Sequence, residues 1–167
     1  EFGFDRETFQ LVVVENGSSD DSQAVLTKLE QNPEYSGWFK VCPVQVNQGY
    51  GFGMAQGIAA CNSEFVGFTH ADLQCDPKDA FLALQKVRDS ADPTKIIVKG
   101  ERSGLNWKDV FVSRVFELFA LVILGLKIRE MNAQPKVFHR NLIDHLVAPP
   151  YTFAFDLYVQ YIAKKHG

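Results

Sequence analysis

The stretch Thr69-His70-Ala71-Asp72-Leu73-Gln74 sets an imidazole, a carboxylate and an amide close together, directly after the apolar run Phe65-Val66-Gly67-Phe68. Oxygen ligands of this kind suit a divalent cation that bridges phosphates. Two other polar segments are placed in the same way. Glu15-Asn16-Gly17-Ser18-Ser19-Asp20 follows Leu11-Val12-Val13-Val14 and carries carboxylates and an amide able to pair with a base or with ribose hydroxyls. Asn47-Gln48-Gly49-Tyr50-Gly51-Phe52-Gly53 follows a strand candidate over 38–46, and its glycines offer backbone that a ligand can approach closely. Taken singly, the first segment is also ordinary turn chemistry, and the second is not a dinucleotide fingerprint, because its glycines alternate. Taken in order, the three would converge on one edge of a parallel sheet, where open α/β sheets bind ligands.

The elements that must position these groups follow from pattern. Leu11–Val14, 38–46, 65–69, 95–99 and 136–138 read as strands. A helix from Asp21 or Ser22 to Leu29 is expected to bury Ala24, Val25 and Leu29 on one face, with Asn32-Pro33 closing it. Further helices are expected over 54–60, from Pro77 through Val87, over 107–126, and from Phe155 to about Lys165. Alternating strands and helices predict a three-layer α/β/α sandwich on a mostly parallel central sheet.

A chain of 167 residues with 46% hydrophobic content is the size of one domain, taken here as residues 1–167. Its net charge of -3, with acids and bases mixed along the chain, excludes the footprint of a nucleic-acid binder. Cys42, Cys61 and Cys75 lack paired spacing and read as reduced thiols, Cys75 as a small apolar filler. No secretory leader is expected. The segment 110–126 is apolar but is interrupted by Ser113, Arg114 and Glu117, which is short of a membrane span. A cytoplasmic protein is expected, in peripheral contact with the inner face of a membrane through 109–126 or burying that stripe in a core or homodimer.

Val12-Val13-Val14-Glu15-Asn16-Gly17-Ser18-Ser19-Asp20-Asp21-Ser22, then Asn47-x-Gly49-x-Gly51 with Ala55 and Gly57, then Ala71-Asp72-Leu73-Gln74-x-Asp76-Pro77 together resemble family 2 glycosyltransferases. The similarity is closest to the branch that transfers sugars to dolichol phosphate or polyprenyl phosphate. The resemblance implies the GT-A (nucleotide-diphospho-sugar transferase) fold, here trimmed at both ends and without the first strand ahead of Phe9. It also implies a nucleoside-diphosphate sugar donor, a lipid-phosphate or glycan acceptor, Mg²⁺ or Mn²⁺, and inversion at the anomeric carbon.

Residue by residue, the resemblance places Glu15, Asn16, Ser18 and Asp20 with Asn47, Gly49, Gly51, His70, Ala71 and Asp72 at the nucleotide sugar, and Asp72 and Gln74 at the metal. His70 stands where the family has an aspartate. Three readings of it stay open: a metal ligand that suits Mn²⁺, a hydrogen-bond donor to phosphate or sugar, or a mark of lost activity. Gly100-Glu101-Arg102 looks like the family's Gly-x-Arg, Arg114 matches a second basic position, Glu130 an acidic one and Lys136 an arginine, while the Ser-Gly of that last segment is absent. Arg102, Arg114 and Lys136 are then expected to hold phosphate, and Glu130 to serve as base if the acceptor is a sugar. Arg114 reads equally as a solvated helix charge. Asp156 resembles a late acid on the acceptor side and reads equally as an exposed first-turn acid favourable to the helix dipole. The competing reading is a degenerate or truncated transferase domain that binds nucleotide sugar without turnover.

Overall fold

Short β-branched and aromatic runs become strands wherever a second run lies alongside to take their backbone hydrogen bonds. In the computed structural model, which describes residues 5–102, 104 and 106–166 (of residue 109 the backbone alone), this happens twice. The chain divides into two compact units, one formed from Glu1–Glu64 with Ala148–Phe155 and the other from Phe65–Val147 with Asp156–Gly167.

In the first unit β1 (Leu11–Glu15) pairs in parallel with β2 (Phe39–Pro43), in a register running from Leu11 opposite Phe39 to Glu15 opposite Pro43. Between them runs α1 (Ser22–Glu30). Its first turn is held by Asp20, whose Oδ1 accepts the Ser22 N–H at 3.0 Å, while Asp21 at the cap position makes no side-chain bond. The expected apolar face of α1 is not the buried one: Ala24, Val25 and Leu29 are exposed, and Ser22, Leu26 and Glu30 are half-buried. Spacing by four brings these three side chains onto one stripe, and Glu30 uses it to accept the Val41 N–H of β2 at 2.7 Å.

The second helix, α2, spans Tyr50–Ala59 rather than beginning near Met54. Gly51 and Gly53, which the sequence presents as turn residues, lie in its first turns. The Gly51 N–H is satisfied by the Tyr151 carbonyl at 2.8 Å, a backbone cap from a distant segment that local pattern cannot show. Gly57 brings α2 down on β1, for a side-chain carbon there would come within 2.5 Å of Val14 Cγ2.

The second unit holds β3 (Phe65–Phe68), α3 (Pro77–Arg88), β4 (Ile97–Lys99), α4 (Trp107–Leu124), β5 (Lys136–His139) and the body of α5 (Phe155–His166). Its sheet has the order β3-β5-β4, and β5 is antiparallel to both neighbours. The expected α/β class is found, while one mostly parallel central sheet in a three-layer sandwich is not shown among the described residues. Among the described residues the strands form a two-stranded parallel sheet and a three-stranded sheet whose pairs are antiparallel. A buried strand reads the same in either direction, and the long α4 and its following loop leave enough chain to return with either polarity.

α3 follows its sequence signals closely. Asp76 Oδ1 accepts the Lys78 N–H at 2.9 Å, Pro77 occupies the first turn, and Lys86 and Arg88 close the last. Its Ala83 and Val87 pack on Val137, with Phe65, Leu84, Ile96 and Val98 around them. α4 stops at Leu124 because Gly125 turns left-handed (φ 62°), and the Leu126 N–H reaches back to the Ala120 carbonyl at 3.1 Å.

Gly51→Ala is expected to destabilise the protein by about 1–3 kcal/mol, because the added carbon would meet the Pro150 carbonyl at 2.0 Å and the Thr152 carbonyl at 2.8 Å. Urea unfolding of the two proteins measures it.

Candidate active site

In the first unit, the carboxylate at the end of β1 is fixed by the turn that follows. Glu15 is buried, and its Oε1 accepts the Ser18 N–H at 2.6 Å. Hydrogen bonding from Ser18, through its side chain and then its backbone, holds the Glu15 carboxyl below the usual glutamate range. Asp20 is likewise lowered by hydrogen bonding from Ser22. Asn16 donates from Nδ2 to the Gly49 carbonyl at 3.2 Å, and its Oδ1 is buried without a partner among the described residues. Asn47 accepts the Gly49 N–H at 2.9 Å. Four of the expected nucleotide residues, Glu15, Asn16, Asn47 and Gly49, are thus brought together with Ser18 and Asp20 on the adjoining exposed turn.

The alternating glycines also serve packing within the chain. Gly51 is buried, and the space beside it is filled by the carbonyls of Pro150 and Thr152. At Gly49 (φ 111°) a side-chain carbon would meet the Tyr151 carbonyl at 2.4 Å, and at Gly53 it would meet Asn16 Cγ at 2.8 Å. The close approach that these glycines permit within the chain is by segment 150–152 and by Asn16.

In the second unit, register decides what surrounds the Asp72 bend. Because β5 runs antiparallel to both neighbours, its first residue, Lys136, lies opposite the last residues of β3 and β4, Phe68 and Lys99. The bend 69–75 leaves from β3 and the loop 100–106 from β4, so both depart at the Lys136 end of the sheet. In the bend, Asp72 Oδ1 accepts the Gln74 N–H at 3.0 Å, and Leu73 between them takes a left-handed φ of 61°. Ala71, Asp72 and Gln74 are exposed and His70 is half-buried.

Beneath that end lies a buried polar cluster. Lys136 is fully buried, Asp156 and Gln134 nearly so. Lys136 Nζ donates to Asp156 Oδ1 and, at 3.0 Å, to the Ala133 carbonyl. Gln134 Nε2 donates to the same Asp156 oxygen at 2.8 Å, and Gln160 Nε2 donates to the Asp156 and Met131 carbonyls at 2.9 and 2.7 Å. The ammonium also lies 5.5 Å from the centre of the Phe68 ring. Burial pulls the Lys136 pKa down, opposed by Asp156. This overturns the reading of Asp156 as an exposed first-turn acid. The expectation that Lys136 holds phosphate also meets an ammonium already spent on a carboxylate. Gln134 was not singled out by residue type, yet its Oε1 is buried there with no partner among the described residues.

Arg102, Arg114 and Glu130 form a second polar group beside an open depression of about 280 Å³, also lined by Glu117 and Arg129. Arg102 Nε donates to Glu130 Oε2 at 2.6 Å and its Nη2 to Ser113 Oγ at 3.2 Å. Arg114 pairs with Glu117 at 2.8 Å, and Glu117 Oε1 accepts the Glu130 N–H at 3.1 Å. Glu117 joins the two arginine pairs and was missed by sequence reading. Its only signal is its place three residues after Arg114. Arg114 is half-exposed but tethered, so it is neither a freely solvated charge nor fully committed. Ser103 of this loop lies outside the described residues.

No group of three or more His, Cys, Asp and Glu close enough to hold a metal occurs among the described residues. Asp72 and Gln74 could still contribute to a Mg²⁺ site, since that ion is commonly bound by one or two carboxylates and completed by substrate phosphates.

The family model described as glycosyl transferase family 2 matches residues 4–147. The chain belongs to glycosyl transferase family 2. It is also 42% identical over 65 residues to an uncharacterised glycosyltransferase of Nostoc sp., a match covering 38% of this chain and 19% of that relative. The chain thus spans about a fifth of the length of the curated relative it matches. The family 2 match takes in β1 through β5, and so both polar turns of the first unit and the Asp72 bend of the second.

Two outcomes are expected from these arrangements. Removing either partner of the buried pair, as in Lys136→Ala or Asp156→Ala, should cost about 3–5 kcal/mol in urea unfolding, with a double variant costing less than the sum. Folded Glu15 takes up a proton less readily than unfolded Glu15. Its stabilisation is therefore complete above the ordinary glutamate pKa and fades as pH falls through the lower folded value. Glu15→Gln should flatten that acid limb of stability.

Proposed function

We propose that this family 2 domain is the donor-binding part of an inverting, metal-dependent glycosyltransferase. It would move a sugar from a nucleoside-diphosphate sugar to a lipid-phosphate or glycan acceptor, as in the polyprenyl-phosphate branch. The observation that carries the reading is Asp72. Its exposed carboxylate is oriented by the Gln74 N–H in a bend at the end of β3, inside the family match.

Asp72 and Gln74 would hold Mg²⁺ or Mn²⁺ there, and such an ion supplies positive charge to the leaving diphosphate. The protein's own part is mostly orientation. Glu15, Asn16, Ser18 and Asp20 offer carboxylate, amide and hydroxyl groups to the base or ribose, Asn16 Oδ1 being an acceptor that folding has left open. His70, half-buried at the start of the bend, is the imidazole placed to meet phosphate or sugar in this reading. Arg102 and Arg114 border the depression from which an anionic acceptor can be engaged, each at the expense of its carboxylate partner. Glu130, close to Arg102, is the base when the acceptor is a sugar hydroxyl, whereas an acceptor phosphate is already ionised and needs none. Lys136 and Asp156 act by holding the sheet end beneath the Asp72 bend.

Contact of α4 with a bilayer belongs to the same proposal. Trp107, Phe111, Leu118, Val122 and Ile123 are all more than 60% exposed, an unusual run for water-facing surface. Among the described residues no helix is long and apolar enough to cross a membrane. Flotation with liposomes is expected to carry the protein upward, and a wholly unbound protein would remove the membrane contact.

Calorimetry with UDP, GDP and their sugars in the presence of Mn²⁺ tests the donor reading. Asp72→Asn is expected to weaken binding by about tenfold while shifting stability by no more than about 0.5 kcal/mol, since the side chain is exposed. Silence towards every nucleotide sinks the proposal. Binding without sugar release in the presence of acceptor would make the chain a nucleotide-sugar-binding domain instead.

A further inference from the structure

A cavity of the second unit, about 430 Å³, borders β4 and β5 and has a one-sided charge. Five Lys or Arg residues and three of the chain's four histidines line it, and no acid is among the described lining residues. In a chain with 20 acids and 17 bases, composition does not produce that segregation. The positive groups come from separate elements: Lys95 from the turn before β4, Lys99 from β4, Lys127 and Arg129 from the loop after α4, and Lys164 from α5.

Partners for these groups are few. Lys95 has Asp92 at 3.9 Å, outside the lining. Lys99 donates to the Gly100 and Glu130 carbonyls at 3.1 and 3.3 Å, and Lys164 to the Gly125 carbonyl. Carbonyls satisfy these donors without neutralising the charge, and Glu101, Glu130 and Glu117, outside the lining, act on Lys99 through space. Lys127 and Arg129 have no acidic partner among the described residues. The His145 and His166 rings stack at 4.0 Å and 9°, adding imidazole N–H groups to the same wall. Ile97, Leu126, Phe138 and Leu142 supply an apolar lining, which lessens the screening of the charges by water. The volume lies in the range of small-molecule sites.

We propose that this pocket binds a phosphate-bearing ligand, its cations engaging a diphosphate-sized group and its apolar wall packing against the rest. The site is separate from the Asp72 bend and does not depend on the donor reading. Convergent cations on four elements recognise such a group by charge-assisted hydrogen bonds.

The probe is inorganic pyrophosphate, added to the whole chain in EDTA so that no metal can capture it at Asp72. Histidine ring resonances are followed by NMR. Saturable shifts of His145 and His166 are expected, persisting in Asp72→Asn. The exposed pair Lys95→Ala and Lys127→Ala should together weaken binding by about tenfold, while Lys86→Ala on α3 leaves it unchanged. A parallel arm uses phosphatidylcholine vesicles with and without phosphatidic acid. Retention that requires phosphatidic acid, Lys95 and Lys127, with pyrophosphate silent, assigns the phosphate to a lipid headgroup. Silence in both arms, or equal affinity in wild type and the double variant, overturns the proposal.

Discussion

The buried pair of Lys136 and Asp156 is the constraint on which the second unit turns. Taking two charges out of water costs several kcal/mol each, and the structure offsets that cost with a dense set of donors and acceptors. Asp156 accepts from Lys136 and Gln134, Lys136 donates also to Ala133, and Gln160 ties Met131 to the first turn of α5. The pair fixes the start of the central strand β5 to a helix that begins far along the chain. Since β5 meets both neighbours in antiparallel register, anchoring its first residue anchors the ends of β3 and β4. Gly100 tightens the same joint. Its N–H donates to the Pro135 carbonyl at 2.8 Å, and any side chain there would strike the Gln134 carbonyl at 2.0 Å.

From that joint leave the Asp72 bend and the loop after β4. The Asp72 bend is exposed and locally self-supporting, with one carboxylate oxygen turned to its own backbone. The loop after β4 delivers Arg102 to Glu130, and Glu117 on α4 accepts the Glu130 N–H while pairing with Arg114. Below, a buried ionic joint holds the strands, and above it stand half-exposed ion pairs, individually weak in water.

In the first unit, close packing does the corresponding work. The glycines after Asn47 let segment 150–152 lie against the start of α2, with the Tyr151 carbonyl capping Gly51 and the Phe52 ring meeting Tyr151 edge-on at 5.0 Å. The rings of Tyr50 and Phe153 stack at the same distance. Asn16 is held among these groups with one amide oxygen left open.

Local chemistry was readable from sequence wherever a signal acts within a few residues. The β1 run, the Asp76-Pro77 start of α3, the end of β3 and the family resemblance through Glu15–Ser22 and Asp72–Pro77 all belong to that class, because caps, turns and strand runs are set by neighbours. Partners distant in sequence were not readable. The helical state of Gly51 depends on the Tyr151 carbonyl, the buried face of α1 on where β2 lies, and the polarity of β5 on a chain return that no periodicity encodes. Asp156 shows the division most plainly. Its sequence allows an exposed helix-start acid, and only the fold, by setting Lys136 and Gln134 against it out of water, makes it a buried anchor.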